Sequence, residues 1–263
     1  MRPQHLPPLV DTHAHAFRRG LALSTTRRYA PDYDATVEEY LLELDANGVD
    51  RGVLIQPSFL GSDNSYLLEC LAQNPDRLRG VVVVDDSEQE LDFDQLHEQG
   101  VRGVRLNLIG AAVPELERPS WQGLGRRMEQ LGWHLEVQAR GGQWADLAPR
   151  LASWPSHVVV DHLGLPSSGD SRATALVAEV GRLAHVWTKM SAPYRSEDAD
   201  AAVRRYLETR GTENLLFGTD WPFTKHEDGR RMSTQVSWAK NLLGDDAFAD
   251  ALPRNAQCLF AWS

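Results

Sequence analysis

Cysteine is scarce in this chain: two in 263 residues. Cys70 and Cys258 lie far apart, each in an apolar, helix-like stretch, and read as free, buried thiols of a reducing compartment. Long apolar runs are absent as well. No stretch approaches the roughly 20 residues that a spanning helix needs, and residues 1–8 hold no apolar core of signal-peptide length. The expectation is a cytoplasmic protein with no membrane partner. Positive charge is in deficit, with 27 Lys and Arg against 37 Asp and Glu, a formal charge of −10. The pairs Arg126-Arg127 and Arg230-Arg231 are isolated, so nothing tracks a phosphate backbone and no nucleic-acid partner is expected. No repeat, low-complexity tract or linker divides residues 1–263, which read as one domain.

The remainder is ordinary globular material, 42% hydrophobic and 24% charged. Eight short apolar segments punctuate it, at 9–13, 51–55, 78–84, 101–106, 133–138, 157–160, 186–190 and 215–217. Helical patterns follow most of them, near 35–47, 62–73, 120–131, 143–151 and 198–209. Val37, Tyr40, Leu41 and Leu44 illustrate the 3-4 spacing, with Gly48 as a stop. Ser87 and Glu90 have the spacing of a capping box. Two helices, 235–243 and 247–260, close the chain. Near-continuous apolar runs such as Val81-Val82-Val83-Val84 suit strands covered on both faces. Strand and helix in alternation imply a parallel sheet, and eight units in this length have the size of a (β/α)8 barrel. A doubly wound open sheet is the second possibility.

In such a barrel, function gathers where strands end. The ends carry His13 and His15, Gln56 and Ser58, Asp85, Arg105 and Asn107, Glu136 and Gln138, Asp161 and His162, Lys189 and Ser191, and finally Asp220. Residues at i and i+2 share a strand face, so His13 and His15 point together, as do Arg105 and Asn107. Two such imidazoles can bind one metal ion or one substrate oxygen. Asp220 leaves a buried strand just before Trp221-Pro222. A carboxylate there either caps the loop or faces a cavity and takes a proton from water.

Val10-Asp11-Thr12-His13-Ala14-His15 and Gly218-Thr219-Asp220-Trp221-Pro222 resemble the amidohydrolase superfamily. The middle of the chain, Gly103-Val104-Arg105-Leu106-Asn107, Val160-Asp161-His162-Leu163-Gly164 and Lys189-Met190-Ser191-Ala192-Pro193-Tyr194, is similar to the branch containing 2-pyrone-4,6-dicarboxylate and sugar-acid lactonases. The resemblance implies a hydrolase that opens a small-molecule lactone. It implies that Asp220 activates water, that His13, His15 and His162 hold or polarise the carbonyl, and that Arg105 grips a substrate carboxylate. Asn107, Gln56, Ser58 and Gln138 are further substrate contacts, and Tyr194, with Arg195, sits on a loop that could close over them. Lys189 belongs either to the pocket or to an ion pair.

The departures narrow this. The superfamily's bridging lysine on strand 4 is replaced by Arg105 and Asn107, and its strand 5 histidine by Glu136-Val137-Gln138. A binuclear metal site is therefore not expected. The first expectation is no metal; one zinc or manganese ion on His13, His15 and Asp220 stays open. The pyrone enzyme's second arginine falls where this chain has Leu108-Ile109-Gly110-Ala111, which favours a lactone with one carboxylate or a polar sugar lactone. The rival readings are a metal-dependent decarboxylase of an aromatic or unsaturated acid and a non-catalytic binder of small acids. Oligomeric state stays open.

Overall fold

The computed structural model describes residues 6–84, 91–167 and 169–262. Strands β1 (Val10–Ala14), β2 (Arg51–Ile55), β3 (Leu78–Val82), β4 (Val101–Asn107), β5 (His134–Gln138), β6 (His157–Val160), β7 (Val186–Met190) and β8 (Leu215–Phe217) alternate with helices. The helices are α1 (Val37–Ala46), α2 (Ser65–Gln73), α3 (Phe93–Glu98), α4 (Pro119–Gln130), α5 (Gln143–Ala152), α6 (Ser171–Val180), α7 (Ala199–Arg210), α8 (Met232–Leu243) and α9 (Leu252–Phe260). All neighbouring strands are parallel and stand in sequence order. The open-sheet alternative is excluded by the way the two ends meet. Asp220 N donates to His13 O at 2.8 Å and His15 N to Trp221 O at 2.8 Å, while Thr12 Oγ1 donates to Phe217 O at 2.8 Å. These bonds lace β1 to β8 and the segment after it, and give the (β/α)8 barrel.

Side-chain alternation divides the core into two shells. One parity of each strand packs outward on the helices, as Leu54, Val104, Val158 and Val160 do. The other parity fills the barrel. Its lower part is apolar, with Val53, Ile55, Val81, Val159 and Leu216 closed from below by Phe260 and Trp262. Two residues further along, the same parity turns polar: Val159 is followed by Asp161 and Trp187 by Lys189. The barrel thus carries a charged layer on an apolar plug.

The expected elements are present with shifted ends. Leaving the sheet, Val83 exchanges its ladder partners for the Asn64 side chain, which accepts from Val83 N at 3.0 Å and donates to Val83 O at 2.8 Å. The strand read as 78–84 therefore ends at Val82. Two helices carried no readable pattern. α3 has six residues and buries none of them, and α6 buries only Ala173 and Val180. Asp170 starts α6 by accepting from Ala173 N at 2.9 Å. Cys70 is buried as expected but Cys258 is exposed, because α9 turns Leu252, Ala256, Leu259 and Phe260 inward and leaves Cys258 on its outer side. The Ser87–Glu90 capping box and Asp85 lie outside the described residues.

Gly218 admits no side chain: a Cβ there would lie 2.7 Å from His13 Cβ. Substituting Gly218→Ala should push β1 from β8 at a cost of about 1–3 kcal/mol, measured as a lower denaturation midpoint. An unchanged midpoint would show that the closure yields without strain.

Candidate active site

The junctions after the last three inward strands are bent sharply. His162, Ala192 and Asp220 have φ of 50°, 47° and 63°. Left-handed backbone costs a residue with a Cβ on the order of 1 kcal/mol or more, and it tends to gather at functional sites. Here it turns His162 and Asp220 back over the barrel axis toward His13 and His15.

Asp220 is buried and its two oxygens differ. Oδ2 accepts from Tyr194 OH at 2.7 Å and from Arg195 Nε at 2.6 Å. Among the described residues Oδ1 has no hydrogen-bond partner, and it faces His15 Nε2 at 3.6 Å and His13 Nε2 at 3.7 Å. Burial alone would raise this carboxyl, but the Arg195 guanidinium beside it holds it well below the usual carboxylate range. The imidazoles are kept neutral for a related reason. Burial, reinforced by Arg105, pushes His15 down to about 3. His162 falls to about 4, mainly by burial, and burial also places His13 well below its ordinary value.

His15 has one clear tautomer. Its Nδ1 lies 2.7 Å from the carbonyl of Ile55, which can only accept, so Nδ1 carries the proton and Nε2 a lone pair. His162 Nδ1 lies 2.8 Å from Ser191 Oγ, a partner found at a strand end but given no role by sequence reasoning. The His13 ring packs 5.0 Å from that of His15 and 4.6 Å from that of His162, centroid to centroid. Beneath these rings lies a layer shut off from solvent: Glu136, Asp161 and Lys189. Lys189 is paired with Glu136 and lies 3.5 Å from Asp161. Burial, then the Asp161 charge, raises Glu136.

Above the rings opens a cavity of about 760 Å³. Its wall includes Ser58, Asn107, Gln138 and Tyr194, together with Arg105. The guanidinium of Arg105 is pre-oriented: Nη1 donates to Gln56 O and Nη2 to Gln138 Oε1, both at 2.8 Å. Among the described residues it has no ion pair. Gln56 is corrected as a substrate contact. Its amide donates to Gly61 O and Asp63 O at 3.2 and 2.8 Å, tying down the loop after β2, and its side chain is not part of the cavity wall. Lys189 lies under the pocket rather than in it. The wall also gains Arg28, Arg140 and Lys225, from loops whose approach no strand-end pattern reveals.

His13, His15 and Asp220 each offer one ligand atom within 4.8 Å of the others, the spacing of ligands round one ion; His13, Asp161 and His162 form a second such group. Two cations already abut the first group, Lys189 at His13 and Arg195 at Asp220. From β5 comes Gln138, already committed to Arg105. A three-ligand zinc site needs all three lone pairs free, and this set is crowded by positive charge.

An NMR titration should find the Cε1–H signals of His15 and His162 unchanged from pH 8 to pH 6. A midpoint near 6.5 in either would show an imidazole open to water, contrary to the burial described.

The sequence profile described as Amidohydrolase matches residues 10–262. A 2-pyrone-4,6-dicarboxylate hydrolase of Comamonas testosteroni is 30% identical over 86% of this chain and 81% of that protein. A 4-sulfomuconolactone hydrolase of Hydrogenophaga intermedia is 27% identical over 88% of this chain and 82% of its own length. A crystal structure from Acinetobacter baumannii, assigned as a 2-pyrone-4,6-dicarboxylic acid hydrolase and holding citric acid, superposes with a TM-score of 0.90 at 33% identity, covering 97% of this chain and 99% of that one. With barrel, site and profile in agreement over nearly the whole chain, the protein belongs to the amidohydrolase family.

Proposed function

We propose that the protein hydrolyses a small lactone bearing at least one anionic group, with Asp220 as the base that activates water. One observation carries this reading: Asp220 Oδ1 is a buried, unpartnered carboxylate oxygen lying 3.6 Å from the lone pair side of His15 Nε2. A single water can donate one hydrogen to each. Its oxygen is then left free to attack a carbonyl carbon presented from the cavity.

In the proposed reaction the water oxygen bonds to the lactone carbonyl carbon and its proton passes to Asp220. Negative charge gathers on the carbonyl oxygen, where N–H groups of His13 and His162 stabilise it more than they stabilise the ground state. The ring C–O bond then breaks, and Asp220 returns the proton to the departing alkoxide. The product is an open hydroxy acid. Arg105, already aimed into the cavity by Gln56 O and Gln138, grips a substrate carboxylate. Ser58, Asn107 and Tyr194 line the cavity and would add further polar contacts to the substrate.

Arg195 has two claims on it, since it holds Asp220 and also lines the cavity. A bound carboxylate that draws on its guanidinium loosens that hold, so the base strengthens as the site fills. The names of the relatives support an anionic lactone as the substrate class. So does the wall of the cavity, where Arg28, Arg105, Arg140, Arg195 and Lys225 outnumber Asp170, Glu197 and Asp220, in a chain of net charge −10. Those cations weaken the case for only one carboxylate, which rested on the missing arginine at Leu108-Ile109-Gly110-Ala111.

We assign no resident metal to the reaction, because cations crowd the would-be ligands. The decarboxylase alternative needs a bound divalent ion and loses support for the same reason.

Asp220→Asn should lower kcat about 10²- to 10⁴-fold, with KM changed far less, in a protein that melts as the parent does. A lactone opened by this variant at near the parental rate would refute the base assignment. Protein stripped by a chelator, and shown metal-free by elemental analysis, should retain full activity. Activity lost on stripping and restored by zinc or manganese would reverse the metal-free reading.

A further inference from the structure

Lys189 is wholly buried and plays no part in the chemistry above. Its ammonium touches Glu136 Oε2 and meets His13 Nδ1 at 3.2 Å in hydrogen-bond geometry. An ammonium has protons to give and no lone pair, whereas a neutral imidazole has one N–H and one lone pair. Where Nδ1 accepts from Lys189, the single ring proton resides on Nε2. Asp161 Oδ1 approaches the same nitrogen equally closely, at 3.2 Å, and would favour the opposite tautomer. Glu136 Oε1 also lies 3.5 Å from that nitrogen, yet neither that oxygen nor either Asp161 oxygen makes a hydrogen bond among the described residues. The ammonium is therefore the partner of Nδ1.

We propose that Lys189 is a positioning residue that sets the tautomer of His13, donating to Nδ1 so that Nε2 carries its proton toward Asp220. The consequence for catalysis rests on the lactonase reading; the tautomer itself does not. His15 is locked the other way round by the Ile55 carbonyl. Two neighbouring rings facing one carboxylate oxygen thus offer one donor and one acceptor. The donor suits a developing oxyanion, and the acceptor suits the second hydrogen of the attacking water. A ring protonated on Nε2 has no lone pair there for a cation. The group of His13, His15 and Asp220 then presents two metal-binding lone pairs, although its spacing suggests three.

The test is an imidazole ¹⁵N spectrum of the full chain at pH 7, with signals assigned by comparison with His13→Gln and His15→Gln. His13 should appear protonated on Nε2 and His15 on Nδ1. A His13 proton found on Nδ1 overturns the proposal. In Lys189→Met the His13 proton should move to Nδ1, toward Asp161, and kcat should fall about 10²-fold, the loss of one oxyanion donor, with KM little changed. Lys189→Arg, which keeps a donor, should recover part of both. A folded Lys189→Met that keeps the parental tautomer and kcat also overturns the proposal. If Lys189→Met does not fold, the parental spectrum decides alone. A parent with the expected tautomer that opens no lactone would sink the functional reading and leave this one standing; an active parent with the opposite tautomer would do the reverse.

Discussion

The seam between β1 and the segment after β8 is the constraint on which the rest of the molecule depends. Asp11, at its centre, accepts from Thr219 N at 2.8 Å, Thr219 Oγ1 at 2.6 Å, His13 N at 3.1 Å and Tyr40 OH at 3.0 Å. Burial drives this carboxyl up to about 6 against all four donors, which measures how dry the seam is. Joining residues 208 positions apart carries a loop-closure cost that the intervening strand pairs share. What the seam secures is local: the His13 carbonyl receives Asp220 N, so base and imidazole are placed by the same backbone bond.

The site above the seam works through solvent exclusion. In water, these imidazoles would titrate near neutrality and a lone aspartate would be a modestly weak base. Packed together, the rings stay neutral, while the acid stays ionised because Arg195 and Tyr194 occupy one of its oxygens. Charge is layered along the barrel axis, from the apolar plug through the Glu136–Lys189–Asp161 layer and the neutral rings to a cationic mouth. Each layer conditions the next. The buried cation under His13 bears on its proton, and the cations of the mouth supply what a net acidic chain otherwise lacks for holding an anion.

Much of this could be read along the chain. His13-Ala14-His15 and Gly218-Thr219-Asp220 sit at strand ends, and strand-end side chains of inward parity must converge in a closed barrel. Arg105, Asn107 and Gln138 reached the cavity by the same logic, and Tyr194 reaches it from the loop after β7. Gln56 did not, because an amide at a strand end can equally serve its own loop, and here it binds Gly61 O and Asp63 O. Asp11 and Thr219 stood inside the quoted motifs without a role; their bond spans the whole chain and leaves no local periodicity. Arg28 and Arg140 belong to loops, whose paths depend on what they pack against.

The order of amino acids alone determined the eight alternating units, the apolar runs that bury strands on both faces, and the types of group available at each strand end. Periodicity and turn chemistry act between near neighbours, so a linear reading captures them. Only the tertiary structure decided which nitrogen faces which oxygen, which oxygen of Asp220 remains free, and that Lys189 lies beneath the site rather than within it. Those relations are set by side chains brought together by barrel closure in a medium without water, where a hydrogen bond or a charge a few ångströms away outweighs any intrinsic preference of the residue.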